Sequence, residues 1–180
     1  VLSLSVVLSV WLNGNSYIQN ELVQAGYGQI TGWVSDVPDM GNLTWEITSL
    51  PEIGDVQSQE VIFSDYEGNA VESDSEGQMI RWTPGEQRYR FLNNDLTGRQ
   101  EAPEEIRQGE VYISPTMVSI MNLKIGDTII FRIARNGMDV ELTVAGYYED
   151  PFMGSSMIGM KGFLISEADF EQIRNIIRQE

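Results

Sequence analysis

One dipeptide, Asn136-Gly137, constrains this chain more than any other. It lies between Thr128-Ile-Ile-Phe-Arg-Ile133 and Val140-Glu-Leu-Thr-Val-Ala-Gly-Tyr147, two runs rich in β-branched and aromatic residues. A tight turn with positive φ at both central residues matches the twist of paired antiparallel strands, and Asn-Gly adopts it at little steric cost. A hairpin is therefore expected here. Upstream, Glu110-Val-Tyr-Ile113 reads as a strand, and Ser114-Pro115 as an N-cap and first-turn proline for a helix running to about Met121. Gly126 supplies the positive φ that a helix-to-strand corner needs, Asp127 accepts backbone N–H bonds there, and Gly146 is expected to end the returning strand. Downstream, Phe163–Ile165 is a strand leading into Ser166-Glu-Ala-Asp169. That serine-to-acid spacing caps a helix with Phe170, Ile173 and Ile177 on one face.

Towards the amino terminus, Gln29–Val34 reads as a strand, 42–50 as a short helix and Val56–Asp65 as a second strand, together a β-α-β unit. Residues 67–108 differ in character. Glu67-Gly-Asn69 marks a turn, Glu72-Ser-Asp-Ser-Glu-Gly77 is polar, and short strands are expected at Met79–Thr83 and Arg88–Leu92. The sequence thus predicts an α+β domain over 27–180. Its core, 27–66 and 109–180, is a mixed sheet built from β-α-β units, and 67–108 is a small inserted β-rich subdomain.

The first twelve residues, from Val1 to Leu12, carry no charge and end beside Trp11, too few to span a bilayer, which takes about 20 apolar residues. They match the outer end of a membrane helix. No basic residue occurs before Arg81, as expected of a non-cytoplasmic exit. Trp11, Ile18, Leu22 and Ala25 then recur at helical spacing, so 1–26 reads as the end of a transmembrane helix and a stalk helix. Other readings of 1–12 are a buried strand or core helix, or the tail of a signal peptide.

The run Gly109-Glu-Val-Tyr-Ile-Ser-Pro-Thr-Met-Val-Ser-Ile-Met-Asn-Leu-Lys-Ile-Gly-Asp-Thr-Ile129, its hairpin, and Leu142-Thr-Val-Ala-Gly-Tyr147 resemble the extracytoplasmic, MacB-like periplasmic core domain of FtsX-type ABC transporter permeases. Leu96-Thr-Gly-Arg99 is similar to the Gly-Arg turn preceding that unit. The resemblance covers about half the chain, and its motifs are structural. It implies a bacterial cell-membrane location, with the domain outside the cytoplasm between helices at both of its ends. It also implies a cytoplasmic ATPase as partner and a mechanotransmission role, in which ATP hydrolysis moves the outer domain to export or release a substrate or to act on an extracytoplasmic protein, peptide or lipoprotein. The alternative is a freestanding or anchored cell-surface module that binds peptide or glycan.

Composition narrows the chemistry. With 27 acidic against 11 basic residues, a net charge of −16, the chain repels nucleic acid. It has no cysteine and no histidine, which removes thiolate chemistry and the side chain most used for proton transfer and metal ligation. A serine nucleophile would have to rely on Lys124 or Lys161, the only lysines. The acid pairs Glu104-Glu105 and Glu149-Asp150 are no more than 27 acids produce by chance. Glu72, Asp74, Glu76 and Gly77 fit positions one, three, five and six of an EF-hand-like calcium loop, but Thr83 stands where the bidentate acid belongs, and a solvated acidic turn is expected instead. No catalytic residue, metal or cofactor is therefore assigned. The segment singled out for function is 150–162, where Phe152, Met153, Met157, Ile158 and Met160 lie among glycines and serines. Adaptable apolar side chains on such a stretch suit a partner-contact surface, and equally a loop filling the core.

Overall fold

Of the nine strands among the described residues, three, Gly77–Arg81, Glu110–Ile113 and Lys161–Ile165, pair only with strands that are not their neighbours in chain order. The computed structural model describes residues 20, 30–35, 37–54, 56–87, 89–133, 137–150 and 153–178. The chain divides into two units, Val1–Glu60 and Val61–Glu180.

In the first unit the described part is dominated by helix α1, Met40–Thr48, whose N-cap Asp39 accepts from the Asn42 amide at 2.9 Å. None of its residues is buried. The strand expected at Gln29–Val34 does not form over 30–34, where Ile30 is 85% exposed. β-propensity expresses packing against a neighbouring strand, and among the described residues none pairs with this run. The predicted β-α-β unit is thereby corrected. Residues 1–12 and the helical face of Trp11, Ile18, Leu22 and Ala25 lie outside the described residues.

The second unit contains β1 (Val61–Gly68), β2 (Val71–Glu72), β3 (Gly77–Arg81), β4 (Arg90–Leu92), β5 (Arg99–Gln100), β6 (Glu110–Ile113), α2 (Thr116–Met121), β7 (Thr128–Ile133), β8 (Met138–Glu149), β9 (Lys161–Ile165) and α3 (Glu167–Arg178). Six of these strands close on themselves in the order β1-β3-β9-β6-β8-β7 and back to β1. β3 runs parallel to β9 and β6 to β8, and the other four pairings are antiparallel, so the protein is α+β with a mixed sheet. The parallel pair β6/β8 is joined through α2 and β7, not through a single crossover helix. Residues 67–108 supply β3 to this barrel wall.

Alternation explains the closure. Tyr66, Met79, Val111, Phe131, Val144 and Phe163, one from each of the six strands, share a single apolar cluster. Phe131 and Phe163 meet edge-to-face at 4.9 Å although β7 and β9 are not hydrogen-bonded neighbours, which places the cluster inside the barrel. The intervening residues Ile80 and Leu164 join a second cluster with Trp82, Phe91, Ile106 and Tyr148 on the opposite face. β9 is consequently buried along its whole length.

The Asn-Gly hairpin is present as β7 and β8, with Thr128 opposite Thr143 and Ile133 opposite Met138. Gly137 has φ +64. Gly126 has φ +93, and Asp127 accepts from the Lys124 amide at 2.8 Å and from the Asn69 side chain at 3.1 Å. Two local expectations change. Ser114 makes no capping bond: α2 begins after Pro115 and the Ser114 hydroxyl is buried without a partner. Gly146 does not end a strand, because β8 continues to Glu149 with a register shift opposite Val111/Tyr112, and the Tyr112 ring occupies the space where a Gly146 side chain would go. Helix α3 starts as expected. Ser166 Oγ accepts from the Asp169 amide at 2.9 Å, and Phe170 and Ile173 are fully buried. Each contributes about 1.5–3 kcal/mol of apolar burial.

Candidate functional site

The loop from β8 to β9 is built from polar groups at its base and apolar groups along its span. Tyr148, buried on β8, donates from its hydroxyl to Asp150 Oδ2 at 3.2 Å, and Asp150 Oδ1 accepts from the Met153 amide at 2.8 Å. The Asp150 carbonyl accepts from the Gly154 amide at 3.0 Å, and the Thr116 hydroxyl of α2 donates to the Gly154 carbonyl. Asp150 is 7% exposed, a buried carboxylate stabilised by these donors.

Lys161 closes the loop at its other end. It is 2% exposed and begins β9, on the strand face shared with Phe163 and Ile165. Its Nζ donates to the Ser155 carbonyl at 2.7 Å and also to the Ile158 carbonyl. Burial holds the ammonium below the ordinary lysine range, and the negative charges of Asp150 and Asp74 oppose that shift. A buried cation thus ties down the backbone of a stretch that has no regular secondary structure of its own. Ser155 Oγ, accepting from the Met157 amide at 3.2 Å, and the Ser155 carbonyl, accepting from the Ile158 amide at 3.2 Å, shape the tip.

The five residues assigned to this segment from sequence divide sharply. Met153 is 6% exposed and packs in the second cluster with Tyr148 and Leu164. Met160 is half-buried against the same cluster, its Sδ 2.9 Å from Gln78 Nε2. Ile158 is half-exposed, and Met157 is 94% exposed at the tip. Phe152 lies outside the described residues. Lys161 is the member the sequence reading did not place in the site. Its signal was a lone lysine directly preceding the apolar run Gly162-Phe-Leu-Ile165, where a charge has no solvated exit.

The other candidates do not converge. Glu72 sits on β2 and pairs with Arg132 at 3.0 Å, which also holds Glu67 at 2.5 Å, while Asp74 and Glu76 are exposed. Gly77 is inside β3, where a side chain would meet the Phe163 ring at 2.5 Å. Among the described residues no group of three acids is placed to hold a metal ion. Glu149 engages Arg90 at 2.6 Å and Arg99 at 3.3 Å, whereas its neighbour Asp150 belongs to the loop base, so this acid pair faces two directions. Lys124 meets the Asp127 corner through its backbone, the amide donating to the Asp127 carboxylate and the carbonyl accepting from the Asp127 amide at 3.0 Å. No helix among the described residues is long and apolar enough to cross a membrane.

Fold and site together define an α+β protein on a closed, mixed six-stranded barrel, with one connecting loop pinned by a buried lysine and bearing an exposed methionine. Comparison with family models gives no match to this chain, and comparison with curated proteins gives no significant one.

Proposed function

We propose that this is a non-catalytic contact domain, the extracytoplasmic part of a bacterial FtsX-type ABC transporter permease. In this reading it carries movement driven by a cytoplasmic ATPase to a protein, peptide or lipoprotein partner outside the membrane. The observation that carries the reading is Met157, 94% exposed on a loop whose base is fixed by Lys161 and Asp150. A flexible, polarizable methionine held out on an anchored loop is an apolar side chain that adapts to the surface of a partner. A barrel whose strands close on one another has few free edges to fray, which suits a body that transmits displacement. Most of the residues that carry the permease resemblance fall in β6, α2, β7 and β8.

These 180 residues contain no cysteine, so a single introduced thiol reports cleanly. In the full-length protein, with any cysteine elsewhere changed to serine, Met157→Cys should react with a membrane-impermeant maleimide in intact cells. The protein should also stay with the membrane after alkaline carbonate washing and co-purify with an ATP-hydrolysing subunit. Labelling only after lysis overturns the extracytoplasmic reading. Labelling in intact cells with release by carbonate would instead favour the freestanding binding module.

A further inference from the structure

A groove of about 670 Å3 lies in the second unit, between residues 104–108 and the first turn of α3. Its floor is Trp82 and Ile106, 5% and 6% exposed. The Trp82 indole N–H already donates to the Pro103 carbonyl at 3.0 Å, and its ring stacks edge-to-face on Phe91 at 5.0 Å, so the floor offers apolar surface and no spare donor. Four acidic residues line the edges, Glu104, Glu105, Glu167 and Glu171, against one basic residue, Arg107. Arg81 balances two of them, at 3.6 Å from Glu167 and 3.5 Å from Glu171, and Glu167 further complements the α3 N-terminus. Glu104 and Glu105 are exposed and have no ion-pair partner among the described residues.

We propose that this groove is a docking site for a protein partner's segment in which lysine or arginine adjoins an apolar side chain, the apolar group seated on Trp82 and Ile106 and the cation between Glu104 and Glu105. The volume is that of a site for a few side chains. Charge decides among occupants. A second copy of this chain brings −16 of its own, and anionic lipid or nucleic acid is repelled by the same edges. The site lies apart from the Met157 loop in its residues and does not depend on the permease reading.

The probe is a capped hexapeptide of alternating lysine and leucine, titrated into the protein while the Trp82 indole N–H resonance is followed by NMR, assigned by its loss in Trp82→Phe. Saturable shifts of that resonance are expected. Glu104→Gln with Glu105→Gln should weaken binding about three- to tenfold, the size expected for two open-rim charges. Ala168→Arg, on the exposed side of α3 within the groove, should weaken it more than tenfold. Asp139→Asn with Glu141→Gln, which removes the same charge elsewhere, should leave it within twofold. The proposal is overturned if a lysine-glycine hexapeptide binds equally well or if the two double variants behave alike. It also fails if the Trp82 resonance moves only with protein concentration, the mark of a second copy, or only with phospholipid vesicles.

Discussion

Substituting the two methionines of the loop one at a time separates anchor from contact surface. Met153→Ala removes a side chain 6% exposed that packs with Tyr148 and Leu164 and whose methyl lies 3.2 Å from the space a Gly162 side chain would fill. Core methionine-to-alanine changes cost about 2–5 kcal/mol, the lower half applying where surroundings can collapse. Met153 sits at the edge of its cluster, beside a loop, so about 2–3 kcal/mol is expected. For a unit the size of Val61–Glu180, 1 kcal/mol corresponds to about 4 °C in Tm, so the shift should be about 8–12 °C. Met157→Ser removes a side chain that touches almost nothing in the free domain and should stay within about 0.5 kcal/mol. Urea unfolding followed by far-UV circular dichroism, with m unchanged, measures both. Equal costs for the two substitutions, or a Met153→Ala cost below about 0.5 kcal/mol, would refute the division of the loop into a buried foot and a free tip.

Other measurements test neighbouring parts of the argument. Lys161→Met keeps the buried stem but removes two charge-assisted bonds, each about 1.5–3 kcal/mol, and is offset by relief of ammonium burial. The net loss should be about 1–3 kcal/mol, with hydrogen exchange accelerating at the Met157 and Ile158 amides and not in β6 or β9. Burial, with a smaller effect of Asp74, pushes the Tyr66 hydroxyl up to about 12 from 10. A raised folded-state value means stability fully present below pH 10 and lost as pH rises from 10 to 12. Tyr66→Phe should therefore remove about 2–3 kcal/mol of the alkaline loss seen in pH-dependent urea unfolding. Gly146→Ala drives a methyl into the Tyr112 ring and should cost about 1–3 kcal/mol, and adding Tyr112→Leu should recover part of it.

What the sequence determined by itself was local. Asn136-Gly137 between two β-rich runs signals a hairpin, and Gly137 takes the positive φ, +64, that such a connection favours. Gly126-Asp127 and Ser166-Glu-Ala-Asp169 likewise carry their own conformational and hydrogen-bonding reasons, and α3 shows its buried face in the spacing of Phe170 and Ile173. The loop at 150–160 was visible as a composition, methionines among glycines, but composition does not say which methionine turns inward. That depended on the bonds of Tyr148 and Met153 to Asp150 at one end of the loop and of Lys161 to the Ser155 and Ile158 carbonyls at the other, which put Met153 in a cluster and leave Met157 outside. Barrel closure was equally out of reach. The pairings β3/β9 and β7/β1 join residues more than sixty positions apart, and strand register over such distances is selected by the fit of side chains such as Phe131 on Phe163, not by neighbours along the chain. For the same reason the run Ile30–Val34, β-favourable residue by residue, forms no strand: propensity becomes structure only where a partner edge exists to receive it.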